Sequence, residues 1–151
     1  MNKGIQAVYS RVWGSYELIN SILTLGLDAR WRKKAARLAV KTSLEQKQKR
    51  FLDICSGTGQ TALNLSRRLS SAACIIAADF SLQMTKKAAA KTSKKGIKNI
   101  LFVLSDAVQL PFDDNSFDVV YFNSLLMHTD HHKVINECLR VLKPKGKLIT
   151  L

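Results

Sequence analysis

Three carboxylates and a glycine loop carry the chemistry open to this sequence. Asp53-Ile54-Cys55-Ser56-Gly57-Thr58-Gly59-Gln60-Thr61-Ala62 runs out of a short apolar segment and into a helical one. Gly57 to Ala62 fits G-x-G-x-x-G/A, so a nicotinamide or flavin dinucleotide site is one reading. Glycines let the backbone come close to a ligand, and a helix N-terminus presents N–H groups without internal partners. Asp53, just before the loop, weighs against a pyrophosphate, which would bring more negative charge to the same place. A carboxylate there suits a ligand with a positive group, such as the ammonium of S-adenosylmethionine, and it can also accept from backbone N–H groups. Asp79 lies about 20 residues beyond the loop and closes the second apolar segment, where an acid accepts from ribose hydroxyls; NAD sites share this acid. Asp106 follows the third apolar segment and suits the exocyclic amine of adenine. Three acids at three successive strand ends form a site for an adenosyl amino acid.

A sulfonium donor bound there could pass its methyl group to a nucleophile by in-line displacement, and a nucleophile that must lose a proton is helped by one general base. His128, His131 and His132 are the candidates, and His128 stands nearest the expected cleft. His131 and His132 also read as the start of a helix. Their spacing with His128 completes no convincing metal set, and no metal is expected. Tyr9, Trp13 and Tyr16 read either as an aromatic lid over cofactor and substrate or as helix-packing aromatics.

Positioning these residues takes alternating strands and helices. Tyr16 to Leu25 reads as a helix stopped by Gly26, and Asp28 as the cap of a second helix running to about Thr42. In that second helix Trp31, Ala35 and Leu38 form an apolar stripe beside a basic one of Arg30, Lys34, Arg37 and Lys41. Residues 43–50 read as a polar linker. Strands follow at Phe51–Ile54, Cys74–Ala78, Asn99–Leu104, Val119–Asn123 and Leu148–Leu151. Between them lie a helix with Ala62, Leu65, Ser66 and Leu69 facing inward, a helix capped by Ser81, and a helix over His132–Leu142. Val134, Ile135, Cys138, Leu139 and Leu142 share one face of the last, and Pro144-Lys145-Gly146 reads as the turn after it. This pattern predicts an α/β, Rossmann-like fold: a parallel sheet with helices on both faces and its ligand at the strands' carboxyl ends. Residues 1–50 form an N-terminal helical cap and linker, and 51–151 the cofactor-binding domain.

Composition narrows the partners. The 151 residues are 46% hydrophobic and 23% charged, which excludes wholesale disorder. No apolar run reaches the ~18 residues of a membrane span, and the opening residues hold no apolar stretch of the signal type. Three cysteines without a CxxC argue against a disulfide scaffold or zinc site and for a reducing, cytoplasmic setting. The net charge of +13 fits nucleic acid, an anionic membrane surface or a small anionic ligand. The basic stripe beside an apolar one suits a membrane surface or a phosphate backbone. Asn123-Ser124-Leu125-Leu126 stands where a base-flipping enzyme would carry an Asn-Pro-Pro-Tyr motif, so nucleic acid is the weaker reading.

Together these segments resemble the class I S-adenosylmethionine-dependent methyltransferases, and more narrowly the UbiE-like family that C-methylates ubiquinone and menaquinone precursors. LDICSGTG is similar to the glycine motif, AADFSLQM to the ribose acid with its following Met, SDAVQLPFDDNSFDVV to the adenine loop and fourth strand, and RVLKPKGKL to the turn into strand five. The opening string, with Tyr16, Asn20, Thr24, Gly26, Trp31 and Arg32, resembles that of the UbiE-like family. Cys55 stands where the family has Gly or Ala, and Lys145 where it has Gly. The resemblance implies a small, hydrophobic, quinone-like acceptor, S-adenosylmethionine as cofactor and S-adenosylhomocysteine as product. A nucleic-acid (RNA) methyltransferase and a non-catalytic cofactor-binding module remain as alternatives. It places Thr58 with Gly57 and Gly59 at the methionine part, Asp79 at the ribose, and Phe80 and Met84 near the adenosine. Asp106 and Ala107 would face the adenine, and Asn123 would line the cleft. The fold normally adds two further strands, so the sequence reads as truncated after the fifth, with self-association through that strand expected.

Overall fold

The computed structural model describes residues 22, 24, 25, 27–41, 49–69, 72–122 and 130–150. Within them, helix α1 (Leu27–Lys41) precedes β1 (Arg50–Ile54), α2 (Gln60–Ser66), β2 (Cys74–Asp79), α3 (Leu82–Ser93), β3 (Ile100–Leu104), β4 (Phe117–Phe122), α4 (His131–Val141) and β5 (Leu142–Thr150). The strands pair in parallel in the order β3-β2-β1-β4-β5. The order runs outward from β1 on both sides, so the reversal falls between β1 and β4. Open α/β sheets bind ligands above such a point, and the glycine loop leaves the sheet there.

Alternation along each strand splits the core in two. Phe51, Ile75, Ala77, Val119, Tyr121 and Ile149 meet Ala35, Ala36 and Ala39 of α1 and Ala62 and Leu65 of α2. On the other face Leu52, Ile54, Ile76, Ala78, Val120 and Phe122 meet Val134, Cys138 and Val141 of α4, with Leu110 and Phe117. Strands buried on both faces read as continuous apolar runs, as β1 and β2 do. Helix α3 packs on β2 and β3 and buries Met84, Ala88 and Thr92. Its predicted cap holds: the Ser81 hydroxyl accepts from the Met84 N–H at 3.4 Å.

The α/β architecture is the expected one, and several local readings are corrected. Helix α1 starts at Leu27, so Asp28 lies inside its first turn and is not its cap. Its sheet-facing side is made of alanines, while Trp31 and Leu38 of the expected apolar stripe are 49% and 51% exposed. Close approach to α2 and the sheet favours the smallest side chains and leaves the large ones outside. Leu63 of α2 is buried, whereas Ser66 donates its hydroxyl to Asn99 at 2.7 Å. Strand β4 begins at Phe117, ahead of the expected Val119. In α4 the buried line is Val134, Cys138 and Val141; Ile135 and Leu139 are exposed because they sit about 100° further round. The helix ends at Val141 and β5 starts at once, so Pro144-Lys145-Gly146 lies within the strand's span. The register shifts there, between Phe117↔Leu142 and Val119↔Lys147. The expected helix over 16–25 falls almost wholly outside the described residues, as does most of the 43–50 linker.

Candidate functional site

Hydrogen bonds gather the three strand ends. The Ser56 N–H donates to the Ala78 carbonyl at 3.1 Å, and the Ser105 N–H to the Asp79 carbonyl at 2.9 Å. The loops after β1 and β3 are thereby tied to the end of β2. The Asp79 carboxylate sits between them. Its Oδ2 accepts from the Gly57 N–H at 2.7 Å, and its Oδ1 accepts from the Ser81 N–H at 2.9 Å. Burial raises the pKa of this carboxyl above the ordinary range, and these two bonds partly offset the rise. A carboxylate has about four acceptor sites, so each oxygen retains one for a ligand hydroxyl.

The glycine loop is built from left-handed residues. Cys55, Gly57 and Gly59 have φ of 55°, 55° and 74°. The two glycines do different work. A Cβ on Gly57 would meet nothing within 4 Å, so this side of the loop stands open to a ligand. A Cβ on Gly59 would stand 3.1 Å from the Ala88 Cβ and 3.2 Å from the Phe102 ring. Gly59 therefore lets α3 and β3 close on the loop. Thr58 is buried between the two glycines, and its carbonyl accepts from Lys91 Nζ at 3.4 Å.

Asp53 lies on the face of β1 that carries Phe51, and Tyr121 of β4 points into the same layer. It is 1% exposed. Burial pushes its carboxyl up to about 8. The Ala62 N–H of α2 and the Arg32 guanidinium of α1 oppose that rise, while Asp79 adds to it. Its Oδ2 is buried without a hydrogen-bond partner in the protein. Burial raises the Tyr121 phenol to about 12, with Asp53 adding and Thr61 and Arg32 opposing. Arg32, Thr61 and Tyr121 thus form the surroundings of Asp53, a role the sequence reading missed. The signal was the alternation of β1, which turns Asp53 toward the layer where α1 and α2 pack. The Cys55 thiol is pushed up to about 12 by burial and then by Asp79, Asp53, Cys138 and Asp106, so all three predicted acids act on one point.

Asp106 is exposed. Its Oδ1 accepts from the Val108 N–H at 3.2 Å, and its carbonyl accepts from the Gln109 N–H at 3.2 Å. Ala107 packs against the second core layer. Phe80 is half-buried beside Asp79, and Met84 is buried in α3. His131 and His132 form the exposed first turn of α4, whose cap is Asp130. His128, Asn123, Tyr9, Trp13 and Tyr16 lie outside the described residues. An open approach over Gly57 and acceptor capacity on Asp79 suit a ligand with a ribose, and the unpartnered Asp53 carboxyl suits a positive group that would draw it toward its ionised form. They suit a diphosphate poorly.

This sheet order, with the glycine loop after β1 and the acid at the end of β2, is common to Rossmann-like folds, and its solved structural neighbours make it the class I S-adenosylmethionine-dependent methyltransferase fold. The solved structure of a putative sarcosine dimethylglycine methyltransferase from Galdieria sulphuraria shares it at 28% identity and a TM-score of 0.72, over 80% of this chain and 46% of that one. The chain belongs to the ubiE/COQ5 methyltransferase family, which it matches over residues 1–151. It is 37% identical over 145 residues to the demethylmenaquinone methyltransferase of Thermus thermophilus, covering 95% of this chain and 63% of that protein. It is 34% identical over 146 residues to the ubiquinone/menaquinone biosynthesis C-methyltransferase UbiE of Idiomarina loihiensis, covering 95% of this chain and 57% of that protein. The chain thus spans about three-fifths of the length of these relatives.

Proposed function

We propose that the protein is an S-adenosylmethionine-dependent methyltransferase acting on a small, hydrophobic, quinone-like acceptor, with S-adenosylhomocysteine as product. The observation that carries this reading is the Asp79 carboxylate held by the Gly57 and Ser81 N–H groups beside an open Gly57. Family membership and the names of its relatives support the acceptor class. When bound, the cofactor supplies an electrophilic methyl group on a sulfonium. The chain's own work is binding and orientation. Asp79 takes the ribose hydroxyls, Gly57, Thr58 and Gly59 flank the methionine part, and Asp53 lies beneath the loop, where the ammonium would draw its buried carboxyl toward the ionised form. Phe80 and Met84 back the adenosine, Asp106 and Ala107 face the adenine, and Asn123 lines the cleft. His128 takes the proton from the acceptor hydroxyl, and Tyr9, Trp13 and Tyr16 cover the acceptor.

The exposed face of α1 supports a peripheral contact with an anionic membrane, where such an acceptor would reside, from the cytoplasmic side. Leu27, Trp31 and Leu38 are exposed in one line, flanked by exposed Arg30, Lys33, Lys34 and Arg37. Among the described residues no helix is long and apolar enough to cross a membrane. Strand β5 ends the sheet order among the described strands, and self-association through it is part of the same proposal; a clean monomer by light scattering at high concentration counts against it. The decisive experiment is tritiated-methyl transfer from S-adenosylmethionine into lipid extract and into total RNA. Label in the quinone fraction is the expected result. Label in RNA alone favours a nucleic-acid methyltransferase, and cofactor binding without turnover favours a binding module.

A further inference from the structure

The loop that carries Asp106 is anchored at two ends. One anchor is the bond from the Ser105 N–H to Asp79. The other is a clasp built by α4. Arg140 Nη2 donates to the Leu110 carbonyl at 3.0 Å, and Nη1 to the Phe112 carbonyl at 2.7 Å. Nη1 also donates to Asp114 Oδ1 at 2.8 Å. Glu137 completes the clasp. Its Oε1 accepts from Arg140 Nε at 2.6 Å, and its Oε2 accepts from Nη2 at 2.8 Å and from the Leu110 N–H at 2.6 Å. Further along, the Asn115 and Ser116 N–H groups donate to the Arg140 and Val141 carbonyls at 3.0 and 2.8 Å. Each guanidinium nitrogen is engaged in a planar fork that an ammonium cannot copy.

Leu110 is buried between the clasp and the sheet, only a short turn after Asp106. We infer that Arg140, together with Glu137, is a positioning residue for the cofactor: the clasp fixes Leu110 and Phe112, and through them sets where Asp106 and Ala107 stand relative to β2. Neither residue touches the ligand itself. The consequence is selectivity for the 6-amino group of the base, not general affinity. The pair is partly exposed, with side-chain exposures of 32% and 18%. Its ionic part is therefore worth little, and its geometry is what matters.

The inference rests on the adenosyl-cofactor reading, and the experiment separates the two. Calorimetry on the full chain compares S-adenosylhomocysteine with S-inosylhomocysteine, whose base carries oxygen in place of the amine. Wild type is expected to prefer the adenosyl ligand. In Arg140→Lys, which keeps the charge and loses the fork, S-adenosylhomocysteine affinity falls about tenfold, the equivalent of one lost charge-assisted bond. The preference between the two ligands shrinks with it. Glu137→Gln shows the same trend more weakly, and it carries the test if the arginine variant does not fold. Hydrogen exchange at the Leu110 amide speeds up in both. A folded variant with both affinities unchanged, or lowered in parallel with their ratio intact, overturns the inference. A wild type that binds neither ligand overturns the cofactor reading on which it stands.

Discussion

The Gly57 N–H and the Asp79 carboxylate meet at 2.7 Å across 22 residues of sequence. This bond joins the glycine loop to the end of β2, so one carboxylate shapes the loop and, on the proposed function, takes the ribose. Asp79→Ala removes two loop bonds and the proposed ribose acceptor together. Charge-assisted bonds of ~1.5–3 kcal/mol predict a roughly tenfold to hundredfold loss of S-adenosylmethionine affinity. Calorimetry reads it directly, and unchanged affinity would remove Asp79 from the site.

Asp53 gives the fold a pH dependence. Burial holds its carboxyl at about 8 in the folded protein, far above its value in the unfolded chain. The folded state then binds the proton more tightly than the unfolded one. The stability it contributes is complete below the ordinary carboxylate range and is lost as pH rises through about 8. Asp79 is shifted in the same direction. Urea unfolding is expected to show falling stability from pH 5 to pH 9. Asp53→Asn keeps the shape, flattens most of that slope and leaves the part due to Asp79. A wild type equally stable at both pH values would refute the account.

The order of strands and helices was legible from the alternation of apolar runs with capped helices, and with it the places of Asp53, Asp79 and Asp106 at or just after the ends of β1, β2 and β3. What was not legible depended on distances between elements. Nothing local says that α1 will bury Ala36 and Ala39 while Trp31 stays outside, because that follows from how closely the helix meets the sheet. Nothing local says that Gly59 is reserved for Ala88 and Phe102 while Gly57 is left open. The clasp of Arg140 on Leu110 and Phe112 joins residues 30 and 28 positions apart, beyond any periodicity.

Lys145 stands in the left-handed region, at φ 65°, at the position where the family resemblance implies glycine. A residue with a Cβ costs about 1–2 kcal/mol there, while glycine adds about 0.5–1 kcal/mol of unfolded-chain entropy. Lys145→Gly is therefore expected to stabilise the protein by about 0.5–1 kcal/mol, read as a higher urea midpoint at unchanged m-value. Cys55, at φ 55°, gains less from the same exchange because its half-buried side chain packs on the second core layer. Cys55→Gly should lie near neutral. Equal effects at the two positions would mean that strain does not govern either.

The outer face of α1 offers a test independent of the active site. Arg30, Lys34 and Arg37 are exposed along one side of Trp31 and Leu38. Each basic residue near an anionic surface contributes about 1 kcal/mol, and the attraction fades within a Debye length of about 10 Å at 0.1 M salt. The double substitution Arg30→Ala/Lys34→Ala should weaken partitioning onto phosphatidylserine-containing vesicles by roughly thirtyfold, from about 2 kcal/mol. Trp31→Ala should weaken it too, with little change in salt dependence, because its contribution is apolar. None of these side chains is in the buried layer, so melting temperature and cofactor affinity should hold steady. Co-sedimentation with neutral and anionic vesicles at two salt concentrations decides the matter: equal binding to both vesicle types would show that the basic face of α1 is merely solvated.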